Sequence, residues 1–177
     1  MRPGFISILL AGLFMVVFVS AAHGLEVKTR NASVIYEKED LLRKFNRNIR
    51  LGSLSYAARN RTSITVEDEV RNKVDVILER VEAVLAMFPG NLDFTIILLH
   101  SDRDVRKVYT GKFGKKVDFI SFYSPRDKTV YISVDDVRLG VLAHELAHVV
   151  IDFYYETPTP AKIHEILAQF VESHIED

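Results

Sequence analysis

The chain of 177 residues contains no cysteine. That excludes disulfides, a thiolate nucleophile and any cysteine-ligated zinc or iron–sulfur centre. If a metal is held here, His, Glu and Asp must hold it. A surplus of one charge is missing as well: 23 basic residues stand against 24 acidic ones, a formal net charge of −1. A protein that binds nucleic acid through its phosphates is normally clearly basic, so no nucleic-acid partner is expected. The chain also lacks repeats, low-complexity tracts and proline- or serine-rich linkers. What is present, 48% hydrophobic and 27% charged residues, is an ordinary globular composition of single-domain length.

The first residues are a different material from the rest. Arg2 is followed by an uncharged stretch from Pro3 to Ala22, with the apolar run Phe5 to Val19 interrupted only by Ser7 and Gly12. Small residues then suit a cleavage site, either Ala22-His23-Gly24 before Leu25 or the register Ser20-Ala21-Ala22. Residues 1–24 therefore read as a secretory signal peptide, with a signal-anchored membrane form as the alternative. The expected localisation is exported, whether periplasmic, envelope or extracellular. Residues 25–177 are left as one domain, with no membrane contact once the leader is cleaved.

Glu26 to Thr65 is the least readable region. Ser33 to Tyr36 suits a short strand and Asp40 to Asn48 a short helix. Arg43, Lys44, Arg47, Arg50, Arg59 and Arg61 make this stretch basic, which reads as a solvated face. From Thr65 the signals sharpen. Thr65 and Asp68 form a capping box ahead of Val66, Val70, Val74, Ile77, Leu78, Val81, Leu85 and Phe88, which recur at helical spacing until Pro89-Gly90. Leu92 to Leu99 has the length and apolarity of a central strand. A short helix from Ser101 to near Gly111 follows. Phe119–Tyr123 and Thr129–Val134 form a hairpin, Asp135 and Asp136 cap a helix from about Val137 to Phe153, and Thr159-Pro160 opens a last helix. The order predicts an α+β domain with a small mixed sheet.

His144-Glu145-Leu146-Ala147-His148 carries the chemistry. Histidines four apart on a helix differ by about 40° around its axis, so both imidazoles reach one ion. Glu145, about 100° from His144, is placed to act as a general base. Zinc, one per chain, is the expected metal, because imidazole and carboxylate give it three ligands and an open fourth position. Leu139, Leu142, Leu146, Val149, Val150 and Phe153 form an apolar stripe nearly opposite the histidines, so the helix packs one side and presents the other.

For the third ligand, Asp152 lies a further turn along the same face, and Glu156 sits in the loop after the helix. Glu165 is on the last helix, where Ile163, Ile166, Leu167, Phe170 and Val171 read as the core stripe. Ala161, Glu165, Ala168, Gln169 and Glu172 fall on the other side, and the two alanines allow close approach to a neighbouring helix. Gln169 is placed to orient a ligand histidine. On periodicity alone Glu165 and Glu172 are equally well read as solvent-facing carboxylates.

The segments His144–Val150 and Glu165–Glu172, with Pro158 and Pro160 between them, resemble the gluzincin superfamily of zinc metallopeptidases. More narrowly, they are similar to its peptidase MA-like domains. The resemblance runs from about Leu92 to Glu172. It implies a zincin-like, minigluzincin single lobe, with His144, His148 and Glu165 as metal ligands and Glu145 as the general base. It also implies that Tyr131, Ile132 and Ser133 belong to an edge strand along which a peptide aligns. Lys162-Ile163 and Ile166 depart from the family's Trp-Leu pair and glycine. The chain ends at Asp177, so the oxyanion-stabilising group is expected from Tyr123, Tyr131, Tyr154, Tyr155 or His174.

The function these residues imply is an exported zinc metallopeptidase acting on a peptide or protein substrate. In it, Glu145 activates a water that zinc has made acidic. The alternative is a catalytically weak or inactive zinc-binding domain with a structural or interaction role in the cell envelope.

Overall fold

Alternating apolar residues and two long amphipathic helices organise the molecule. The computed structural model describes residues 24–155 and 157–177. The leader and Glu156, two expectations of the sequence, lie outside the described residues. In chain order the elements are β1 (Leu25–Lys28), β2 (Ala32–Tyr36), α1 (Glu39–Asn48), a 3-10 turn (Gly52–Leu54), α2 (Ser55–Ala58), α3 (Val66–Leu85) and β3 (Phe94–Leu99). They continue with α4 (Asp102–Phe113), β4 (Ser121–Ser124), β5 (Thr129–Ser133), α5 (Leu139–Tyr154) and α6 (Ala161–His174). This is an α+β arrangement with a small mixed sheet. No helix among the described residues is long and apolar enough to cross a membrane.

The sheet order is β1-β2-β3-β5-β4. β2, β3 and β5 run parallel to one another, while β1 and β4 flank them antiparallel. β5 is therefore an interior strand, paired with β3 on one side and β4 on the other. The expectation that Tyr131, Ile132 and Ser133 form an edge is corrected: β4 is the edge on that side. Burial explains the arrangement. Every residue of β5 is buried, as a central strand requires, whereas β4 alternates.

The two faces of the sheet carry different cores. Val34, Ile96, Leu98, Val130 and Ile132 pack with α1, α3 and α5 in the main cluster. Phe122 and Tyr131 turn to the other face and meet Val105 of α4. α3 starts as the sequence predicts: Thr65 accepts from the Asp68 N–H, and the Asp68 carboxylate accepts from the Thr65 N–H. Two boundaries differ. α4 runs past Gly111 to Gly114, whose φ of 68° suits the residue that ends a helix. α5 begins at Leu139 with no side-chain cap, because Asp136 accepts from Ser133 Oγ and Asp135 pairs with Lys44.

α5 is the central helix. Leu142, Leu146, Val149 and Val150 are wholly buried against the core. α6 packs chiefly on α5, and it does so with the small face rather than the large apolar one. Ala168 is wholly buried, whereas Ile163, Ile166 and Phe170 are 43%, 52% and 46% exposed. Val171 is the one member of the expected core stripe that is fully buried. The stripe turns outward because Glu165 and Glu172, on the face of Ala168, are drawn to the histidines of α5. Arg80 of α3 anchors the far end of α6, donating to the carbonyls of His174, Ile175 and Asp177. Half of the basic stretch is paired off: Arg43 with Glu39, Lys44 with Asp135, and Arg61 with Asp75 and Glu79.

The small face of α6 sets the separation of the two helices. Ala168→Leu should push them apart and lower the unfolding free energy by about 1–3 kcal/mol in urea denaturation. A variant as stable as the parent would show that α6 does not depend on close approach.

Candidate metal centre

α5 presents His144 and His148 on one side, one turn apart, and α6 brings Glu165 opposite them. The two Nε2 atoms lie 3.2 Å apart. Glu165 Oε1 is 3.7 Å from His144 Nε2, and its Oε2 is 3.7 Å from His148 Nε2. Three such donors around a tetrahedral ion at ordinary bond lengths would sit about 3.3 Å apart. The group His144, His148 and Glu165 could thus hold a metal ion.

The groups behind these donors aim them. His144 Nδ1 lies 3.1 Å from Glu172 Oε2. A carboxylate only accepts, so the ring proton sits on Nδ1 and the Nε2 lone pair faces the centre. Gly140 makes room for this contact, since a Cβ there would stand 3.2 Å from Glu172 Cγ. Gln169 donates to Glu165 Oε1 at 2.9 Å. It therefore orients the carboxylate rather than a histidine, as its position four residues further along the same helix dictates.

Glu145, next to His144 on α5, reaches into the same cleft toward β4 and is 5% exposed. Ser121 Oγ of β4 donates to its Oε1 at 2.7 Å. Burial raises its carboxyl to about 7, against the opposing pull of the Ser121 hydroxyl. Burial lowers His148 to about 4, and the neighbouring His144 adds to the shift. One turn beyond, Asp152 accepts from Tyr123 Oη at 2.7 Å. Burial and that carboxylate together hold Tyr123 above the ordinary phenol range.

These groups line one cleft of about 730 Å³ between α5, α6 and β4. Tyr123 is the one expected oxyanion candidate that reaches it. Tyr131 instead bonds Asp127, on the α4 face. Tyr154 and Tyr155 pair with each other outside the cleft, and His174 stacks on Phe170 at the end of α6. Three contributors were not foreseen: Ser121, Glu172 as the partner of His144, and His164. The His164 ring stacks on His148 at 5.7 Å, and Thr159 Oγ1 holds its Nε2 at 3.0 Å. Glu172 carried a signal, because residues seven apart lie about 20° from each other around a helix. Ser121 carried none, since its contact depends on how β4 crosses α5. No family model, curated protein or solved structure matches the chain.

Glu145 and His148 both favour the neutral form in the metal-free fold, with opposite consequences for pH. Glu145 contributes stability that is complete below about 4.5 and lost as pH rises through about 7. His148 contributes stability that is complete above about 6.5 and lost as pH falls through about 4. Between pH 4.5 and 6.5 the two slopes oppose. Glu145→Gln removes one of them. With a chelator present, stability of the variant should fall on acidification more steeply than that of the parent, by on the order of 1 kcal/mol per pH unit. Urea midpoints across this range check it, and parallel curves would refute a buried neutral Glu145.

Proposed function

We propose that the chain is an exported zinc metallopeptidase of gluzincin type that hydrolyses peptide bonds, with Glu145 as general base. The observation that carries this reading is the convergence of three donors at 3.2–3.7 Å beside a buried carboxylate in an open cleft. Two imidazoles and one carboxylate are a donor set suited to zinc with a free coordination position. When bound, zinc supplies a Lewis acid that polarises a carbonyl and acidifies water.

The chain's own residues do the rest. Glu145 takes the proton of the attacking water at its carboxylate and then delivers it to the leaving amine. A carboxyl raised by burial is a stronger base than an ordinary glutamate, and Ser121 Oγ fixes its rotamer. Glu172 keeps His144 in one tautomer, and Gln169 holds Glu165. The His164 ring lines the cleft as a donor for the developing oxyanion, and Tyr123 Oη can serve there only by turning its single proton away from Asp152.

The free edge of β4 is the natural place for the substrate backbone. Ser133 N–H donates to Ile120 C=O, so Ile120, Phe122 and Ser124 bond inward to β5. Ser121 and Tyr123 then turn their backbone groups outward, where an extended peptide adds as a sixth strand.

The test is to assay metal and peptide hydrolysis together in the purified chain and in Glu145→Gln. About one zinc per chain is expected in both, with hydrolysis in the parent and at least a hundredfold less in the variant. A parent that takes up no zinc overturns the proposal, and zinc without cleavage of varied peptides favours a binding role. Glu165→Ala should lose zinc far more readily than the parent. Glu172→Gln should weaken zinc affinity or activity by about 10–100-fold while the fold is kept. Unchanged zinc affinity in Glu165→Ala removes it as a ligand.

A further inference from the structure

The cleft does not stop at the metal-binding side chains. It continues past Ser121 and Tyr123, around the β4 edge, to Tyr109, Phe119, Ile120 and Phe122 on the α4 side of the sheet. Successive residues of a strand point to opposite faces. Ser121 and Tyr123 reach across to α5, where they bond Glu145 and Asp152. Phe122 points to the opposite face and stacks on Tyr131 at 4.8 Å.

On that face the aromatic side chains form a wall. Tyr109 stands edge-on to both Phe122, at 5.0 Å, and Phe119, at 5.2 Å, and it packs on Phe113 at 4.7 Å. Phe122 is buried beneath, while Phe119 and Ile120 are 42% and 38% exposed at the cleft mouth. Apolar side chains grouped at the mouth of a cleft mark a surface that a ligand can cover. The occupant follows from the strand geometry. A peptide paired with the β4 edge lies about 4.8 Å away, and its side chains alternate between the same two faces. Those on one face meet α5 and the metal-binding side chains, and those on the other meet the aromatic wall.

We infer that this wall, formed by Tyr109, Phe119, Ile120 and Phe122, is a side-chain pocket that selects extended peptides carrying a large apolar or aromatic residue on the α4 side of β4. This rests on the peptidase reading for its choice of a peptide as occupant. It adds the substrate class: peptides with a bulky apolar side chain that lies on the sheet face opposite the scissile bond.

Binding to full-length Glu145→Gln tests it without any cleavage step. The probes are two fluorescein-labelled, capped octapeptides of Ala and Ser that differ only in a central Phe or Ala, read by fluorescence anisotropy. Burying one phenyl ring predicts a dissociation constant about tenfold or more lower for the Phe peptide. Phe119→Ala in the same background should erase that difference and leave the Ala peptide unchanged. Phe119→Trp, which keeps the apolar wall, should preserve it. A Phe peptide N-methylated at the residues flanking Phe should bind more weakly, because it cannot pair with Ser121 and Tyr123. Equal binding of the Phe and Ala peptides, no binding of either, or a preference that survives Phe119→Ala overturns the inference. A parent enzyme that never cleaves would instead overturn the peptidase reading, while the binding preference would still decide this one.

Discussion

Everything at the candidate centre depends on how closely α6 can lie on α5. Gly140 on α5 and Ala168 on α6 carry almost no side chain at the contact, and Glu172 passes over Gly140 to reach His144. Ala168 is wholly buried between two glutamates that both face the histidines. A larger residue at either place would hold the helices apart, and the carboxylates would fall short. Two imidazoles on one helix make half a site. The approach of the second helix completes it.

The same approach explains why α6 looks inside out. A helix normally buries its largest apolar side chains, and Ile163, Ile166 and Phe170 would be the obvious choice. They face outward because turning them inward would carry Glu165 and Glu172 away from α5. The carboxylates, together with Arg80 bonding the carbonyls at the helix end, hold α6 in the orientation that exposes the apolar stripe. This is a local conflict between packing and polar pairing, and the polar groups win it. Such conflicts concentrate at functional sites.

β4 is the second organising element. Its four residues connect two layers: Ser121 and Tyr123 bond the carboxylates of α5, and Phe122 joins the aromatic cluster under α4. The short edge strand thus steadies Glu145 from one side and builds an apolar wall on the other. Its outward backbone groups lie between the two, with the Tyr123 N–H turned toward the Glu145 carboxylate. Glu145 and His148 are both buried enough to prefer neutrality, and they stay close to the polar surface of the cleft.

Local order was legible in the residues themselves. The capping box at Thr65, the helical spacing of α3 and α5, the hairpin around Pro125 to Lys128 and the four-residue step from His144 to His148 are short-range features. Neighbouring residues decide them, and a sequence displays neighbours. The α+β character followed from their order, whereas periodicity left Glu165 equally readable as a solvent-facing carboxylate, and only the resemblance put it beside the histidines. Strand order was not legible, because β3 pairs with β5 rather than with β4, and pairing between distant segments depends on how the connections cross the sheet. That is why Tyr131, Ile132 and Ser133 are interior and β4 is the edge. The outward turn of α6, the bond from Gln169 to Glu165 and the support of Glu145 by Ser121 had the same origin. Each depends on where a second element lies, and helical or strand periodicity specifies only a face, never the partner that comes to meet it.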